Sequence, residues 1–206
     1  MTTARIITRP FGPGPGILCL LDAAAPMAEV AVLHSADLRG HSVLALNPIR
    51  TITIDETSIA HWPGANPLAA LQLQLDHITF LSDTPIPLVG WIGGISYDVG
   101  RHLETIPSAA TDDMGWPIAR FALYRYYFVL DHATNDWTLA TLQLEHETAE
   151  ETEQQLAQMA RFIGAASLVA SDNSGLRTQD SELRTSPLTA SPRPAPSHRP
   201  PSGRGR

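Results

Sequence analysis

The chain has 206 residues, 43% of them hydrophobic and 17% charged, enough for one domain with a sizeable core, or one domain plus a tail. Its net charge of −7 argues against a nucleic-acid binder, which needs a basic face to neutralise phosphates. A single cysteine, Cys19, excludes an internal disulfide; with no signal-peptide pattern and no apolar run of the ~18–20 residues that span a bilayer, the bounds point to a soluble cytoplasmic protein.

Arg5 to Pro10 reads as a short strand that Phe11-Gly12-Pro13-Gly14-Pro15-Gly16 breaks. Ile17 to Ala25 reads as a short helix stopped by Pro26, with Cys19 as a small buried hydrophobe in it. Val30 to Leu33 is expected to be a buried strand. Ser42 to Leu46 and Ile49 to Ile54 follow, the second β-branched and alternating, with an Asn47-Pro48 corner that suggests two adjacent antiparallel strands. Pro67 to Ile78 carries Leu68, Leu71, Leu75 and Ile78 at helical spacing behind a first-turn proline.

Leu88 to Pro107, LVGWIGGISYDVGRHLETIP, is the stretch around which the chain is organised. Three glycines inside its apolar half suggest a buried strand closely approached by another backbone or a ligand. Ser96 is placed to cap a helix whose start holds Asp98 and whose end holds Arg101 and His102, as the helix dipole favours. A glycine-rich strand entering a helix N-terminus also suits an anion, yet the spacing fits neither a GxGxxG nor a Walker loop.

Ile118 to Leu130 and Asp136 to Leu144 are β-branched and aromatic runs joined by the hairpin-length His132-Ala133-Thr134-Asn135. Thr148 to Ile163 reads as a helix opened by a capping box, Thr148 with Glu151, and carrying the stripe Leu156, Met159, Phe162 and Ile163. Clustered strands with helices between them give an α+β fold, an antiparallel β-sheet domain with packed helices over residues 4–166. Residues 172–206 hold six of the seventeen prolines and no aromatic residue, so a disordered C-terminal tail is expected there.

Eight histidines invite a metal search, but His34 with His41, and His132 with Asp136, lack the tight pairing plus distant ligand of a zinc site. No GxSxG elbow surrounds a serine, and Asp112-Asp113 reads as a solvated loop pair. Composition and spacing alone show no enzyme.

The organising stretch resembles the glycine-rich SYD-x-GR signature of the para-aminobenzoate (aminodeoxychorismate) synthase component I and anthranilate synthase component I family. Gly90, Gly93, Ser96, Tyr97, Asp98, Gly100, Arg101, Glu104 and Pro107 fall on the pattern, while Gly94 stands where an aromatic is common. Val32-Leu33-His34-Ser35-Ala36 resembles the family's strand ending in Leu-x-Ser. His41-Ser42 through Asn47-Pro48 resembles its Tyr-Ser…Asn/Asp-Pro element, with histidine in the tyrosine's place. Pro67 to Leu71 and the run Phe121 to His132 agree in order, so the resemblance covers roughly residues 5–165 and leans to the aminobenzoate branch.

The resemblance implies a non-catalytic regulatory and structural N-terminal region. Chorismate, Mg²⁺ and the catalytic groups of the family belong to a C-terminal half, whose place the tail takes here. This chain alone is then expected to have no catalytic residues, cofactor or metal site, and to act only with a separate chorismate-binding chain and a glutamine amidotransferase. The resemblance also places Ser35, His41 and Ser42 at a tryptophan-like ligand site, where hydroxyls suit an ammonium and a carboxylate. The alternatives are a free-standing amino-acid-binding or interaction module and an inactive gene fragment. Loss of a covering half is expected to expose Trp91, Ile92, Tyr124, Tyr126 and Phe128 as an apolar patch.

Overall fold

A computed structural model of the chain describes residues 2–59, 61, 66–82, 89–105 and 114–181. Pro107, the pair Asp112-Asp113 and the tail beyond Ser181 lie outside these. Contacts divide the chain after Ser171, and the unit before that point carries the sheet.

The described strands are β1 (Thr2–Pro13), β2 (Ala31–Leu33), β3 (His41–Ile54), β4 (Ile78–Ser82), β5 (Trp91–Ile95), β6 (Ala119–Asp131) and β7 (Asp136–Leu144). They form one sheet in the order β2-β3-β6-β7-β1-β4, with β5 paired to β6. Every pairing is antiparallel except β1 with β4. The helices are α1 (Ile17–Ala24), α2 (Glu56–Ile59), α3 (Pro67–Leu75), α4 (Gly100–Leu103) and α5 (Ala149–Ser181), and a 3₁₀ turn spans Tyr97–Val99. The α+β class is as the sequence indicates.

Strand β6 is the hub. It pairs with β3 along its whole length, whereas its other edge changes neighbour, from β5 at Ala119–Leu123 to β7 at Tyr126–Asp131. Its apolar and aromatic run, interrupted only by Arg120 and Arg125, suits a strand largely buried on both faces. Leu44, Leu46, Phe128, Leu130, Trp137 and Leu139 meet α1 and α5 on one face. Val43, Ala45, Tyr127, Val129 and Leu142 lie on the other, where Ile78, Phe80, Trp91 and Ile92 pack against them. A third cluster joins Ile52 and Ile54 to α2 and α3 through Ile59, Ala70 and Leu71.

Several expectations are corrected. The glycine–proline run does not end β1 at Pro10; the strand continues through Pro13 with a register shift between Pro10 and Gly12. Asn47-Pro48 is no corner. The two segments it separates are one strand, β3, because β6 runs straight along both and a β-bulge between Pro48 and Arg50 absorbs the extra residue. Ile78 leaves the helix pattern to open β4, since α3 closes at an Asp76 cap. Val32 and Leu33 are 37% and 41% exposed because β2 is an edge strand rather than a buried one. Cys19 faces solvent on the outer side of α1.

In the organising stretch, β5 pairs only with β6 among the described strands, and Ile95 is exposed. Close approach is real at Gly93, where an added Cβ would stand 2.1 Å from the Arg120 carbonyl oxygen. Ser96 makes no side-chain cap; its amide instead donates to Ile118 O at 2.8 Å, and a 3₁₀ turn follows with Asp98 and Arg101 paired at 3.0 Å. Tyr124 and Phe128 are buried rather than outward, so the expected patch does not form from them; Tyr97 at 95% and Trp116 at 71% are exposed.

The hairpin β6–β7 turns at the expected residues, with Asn135 in the left-handed region at φ 61°. The capping box also forms. Glu151 N–H donates to Thr148 Oγ1 at 3.2 Å and Thr148 N–H to Glu151 Oε2 at 2.7 Å. Helix α5 then buries Leu156, Met159 and Ile163 and continues through Ser181, into the segment with the tail's composition.

Candidate functional site

The antiparallel register brings the Leu-His-Ser end of β2 beside the start of β3, with Leu33 opposite Val43. It also sets His41 opposite Asp131 and Ser42 opposite Leu130, so His132, just past the end of β6, arrives at the same corner. Three groups converge on the fully buried Ser42 hydroxyl: His34 Nδ1 at 3.0 Å, the Ser35 amide at 3.0 Å and His132 Nε2 at 2.7 Å. The two imidazoles stand 5.9 Å apart, tilted by 58°.

A serine hydroxyl has one proton and two lone pairs. Ser35 N–H takes one lone pair, so one histidine must donate and the other accept. All of the hydroxyl's capacity is used. A ligand can reach Ser42 Oγ only by displacing an imidazole.

Of the three expected site residues, Ser35 and Ser42 are joined directly, through the Ser35 amide. The Ser35 hydroxyl turns the other way and donates to Asp37 Oδ1 at 2.8 Å. That bond, followed by the Arg39 amide, holds the Asp37 carboxyl below the usual aspartate range. His41 precedes Ser42 on the strand and points to the opposite face; its Nε2 lies 3.9 Å from Asp131 Oδ2. The partners missed in the sequence are His34 and His132. His34 is legible as Ser35's neighbour, whereas His132 is 90 residues from Ser42 and joins it only through the β3–β6 register.

A second feature is a cavity of about 650 Å³ over β3 and β6, beside α5. Met27, Ala28 and Glu29 border it on one side and Gln158, Met159 and Phe162 of α5 on the other. Leu46, Asn47, Pro48, Tyr126 and Phe128 complete its lining. Among the described residues no three His, Cys, Asp or Glu side chains stand as a metal-holding group. No described helix is long and apolar enough to cross a membrane.

Residues 29–195 match a family model described as chorismate binding enzyme. Aminodeoxychorismate synthase component 1 of Salmonella typhimurium is 30% identical over 115 residues, which cover 49% of this chain and 25% of that protein. Anthranilate synthase component 1 of Streptomyces coelicolor is 30% identical over 132 residues, covering 59% and 25%. Aminodeoxychorismate synthase component 1 of Klebsiella aerogenes is 29% identical over 91 residues, covering 42% and 20%. The chain thus spans about a quarter of the length of the curated relatives it matches.

Proposed function

The chain belongs to the chorismate binding enzyme family, and from that premise we propose that it serves as the non-catalytic N-terminal region of an aminodeoxychorismate synthase component I-like assembly. In this reading it supports chorismate amination for folate or tryptophan biosynthesis, in the cytoplasm, with a separate chorismate-binding chain and a glutamine amidotransferase. Mg²⁺ is held by the chorismate-binding chain. The observation that carries the reading is the partial coverage: relatives of both product branches match over about a quarter of their length, and the described strands of this chain form one sheet.

In the same reading Ser35 and Ser42 form the polar corner of an amino-acid site, while His41, on the opposite face of β3, stays outside it. An incoming ligand displaces His34 or His132 from the Ser42 hydroxyl, which then serves the ligand's carboxylate or ammonium. This exchange makes binding weak for the chain alone, since one imidazole hydrogen bond is lost for each one made.

The test pairs the purified chain with the Salmonella relative shortened by the segment that matches it. Restored chorismate amination on mixing supports the assembly. Equal activity with and without the chain would refute it.

A further inference from the structure

We propose that the cavity between the Met27–Glu29 segment and α5 binds a neutral, flat heteroaromatic molecule. The inference rests on the geometry of that cavity and is independent of the reading above. A volume of about 650 Å³ lies within the range of small-molecule sites, roughly 300–1,000 Å³. Its floor is core: Leu46, Phe128 and Met159 are at most 4% exposed. The rings of Tyr126 and Phe162 and the Met27 thioether complete an apolar, polarisable lining that suits a planar ring.

The rim carries the specificity. Asn47 and Gln158 both line the cavity as exposed rim residues, and their carboxamides make no hydrogen bond to another described residue. Each offers an acceptor and two donors, which match a ring edge bearing both kinds of group. Glu29 is the one charged residue in the lining, and Arg120 Nη2 neutralises it at 2.8 Å. A charged ligand therefore gains no counter-ion here, and a neutral one meets no net field.

Backbone conformation gives a second, separate indication. Glu29 and Asn47 border the same cavity, and both are held in the left-handed region, at φ 55° and 60°. The left-handed region disfavours Glu29 more than Asn47, whose short polar side chain tolerates it, and such conformations gather at ligand clamps. The β3 bulge beside Asn47 and the Glu29–Arg120 ion pair hold the two in place.

The experiment titrates the full chain with 2-aminopurine and, separately, with N-phenyl-1-naphthylamine, following the fluorescence of each. The expected result is saturable one-to-one binding of 2-aminopurine. Ala28→Trp should abolish it, because Ala28 is exposed at the cavity edge and the larger ring fills the space without entering the core. Leu18→Trp, on the exposed side of α1 outside the lining, should leave binding unchanged. Gln158→Leu should weaken 2-aminopurine about tenfold, the worth of one hydrogen bond, and spare the naphthyl probe. Circular dichroism melts of the variants confirm folding. Binding of the naphthyl probe alone, unsaturable 2-aminopurine binding, or 2-aminopurine binding unaffected by Ala28→Trp would each overturn the proposal, as would self-association that Ala28→Trp abolishes without any 2-aminopurine binding.

Discussion

The Tyr127 hydroxyl donates to the Gly90 carbonyl at 2.6 Å while accepting the Tyr124 amide at 3.0 Å. It thereby closes the fork where β6 exchanges its neighbour β5 for β7, a place where ladder bonds are lost on both arms. Tyr127→Phe keeps the ring and leaves a buried donor and acceptor unpaired. The expected loss is about 1–3 kcal/mol in urea unfolding. Burial also raises the Tyr127 hydroxyl pKa above its usual value near 10. A raised folded value means this stabilisation is complete below about pH 10 and declines as pH rises above it. Stability of the parent chain should therefore fall on the alkaline side, with a smaller slope in Tyr127→Phe. Equal slopes would contradict the assignment.

Gly93 and Gly94 are neighbours with opposite demands. A Cβ on Gly93 would lie 2.1 Å from Arg120 O and 2.6 Å from Phe121 Cα, both rigid backbone atoms, whereas one on Gly94 meets nothing within 4 Å. Gly93→Ala must push β5 off β6 and should cost about 3 kcal/mol or more. Gly94→Ala should change stability by no more than about 0.5 kcal/mol. Thermal melts of the pair decide it, and similar losses in both would show that the close strand approach is absent.

Removing the Ser42 hydroxyl strands three partners at once, His34, His132 and the Ser35 amide. Ser42→Ala should lower stability by about 1–3 kcal/mol. Faster amide exchange is expected at Ser35 in particular, because its donor loses its acceptor. An unchanged exchange rate would mean the corner is held by something else.

Arg125 and Glu147 form an ion pair at 2.6 Å with each side chain only 12% exposed, close to the same fork. Arg125 Nη1 also donates to Leu142 O at 2.7 Å, and Glu147 Oε2 accepts the Leu144 amide at 2.8 Å. Glu147→Ala leaves a mostly buried guanidinium without its counter-ion, so a loss of about 3–5 kcal/mol is expected. A double variant, Arg125→Met with Glu147→Leu, should recover much of it. Failure of the double variant to exceed the single one in a denaturant titration would argue that hydrogen bonds, not charge, dominate there.

Local signals were legible in the sequence and long-range ones were not. Thr148 with Glu151, and His132 to Asn135 between two apolar runs, define their structures within four residues, and no distant pairing competes with them. Asn47-Pro48 carried an equally strong local signal for a turn, and the pairing energy of an unbroken β6 converted it to a bulge. Burial failed at Cys19, Val32 and Leu33 because apolar character does not say which side of a helix faces solvent or whether a strand lies at an edge. At the polar corner, Ser35 and Ser42 were legible from the resemblance. His132, which completes the bonding of Ser42, required the register of β3 on β6, and the cavity beside α5 required the helix to be placed on the sheet.

The central claim is that this chain supports chorismate amination without performing it. The most direct measurement is the rate at which the purified full chain converts chorismate to an aminated product with ammonia and Mg²⁺, freed of trace host synthase. No product above the protein-free background is predicted, with product appearing when the shortened Salmonella relative is added. Reproducible turnover by the chain alone would contradict the account.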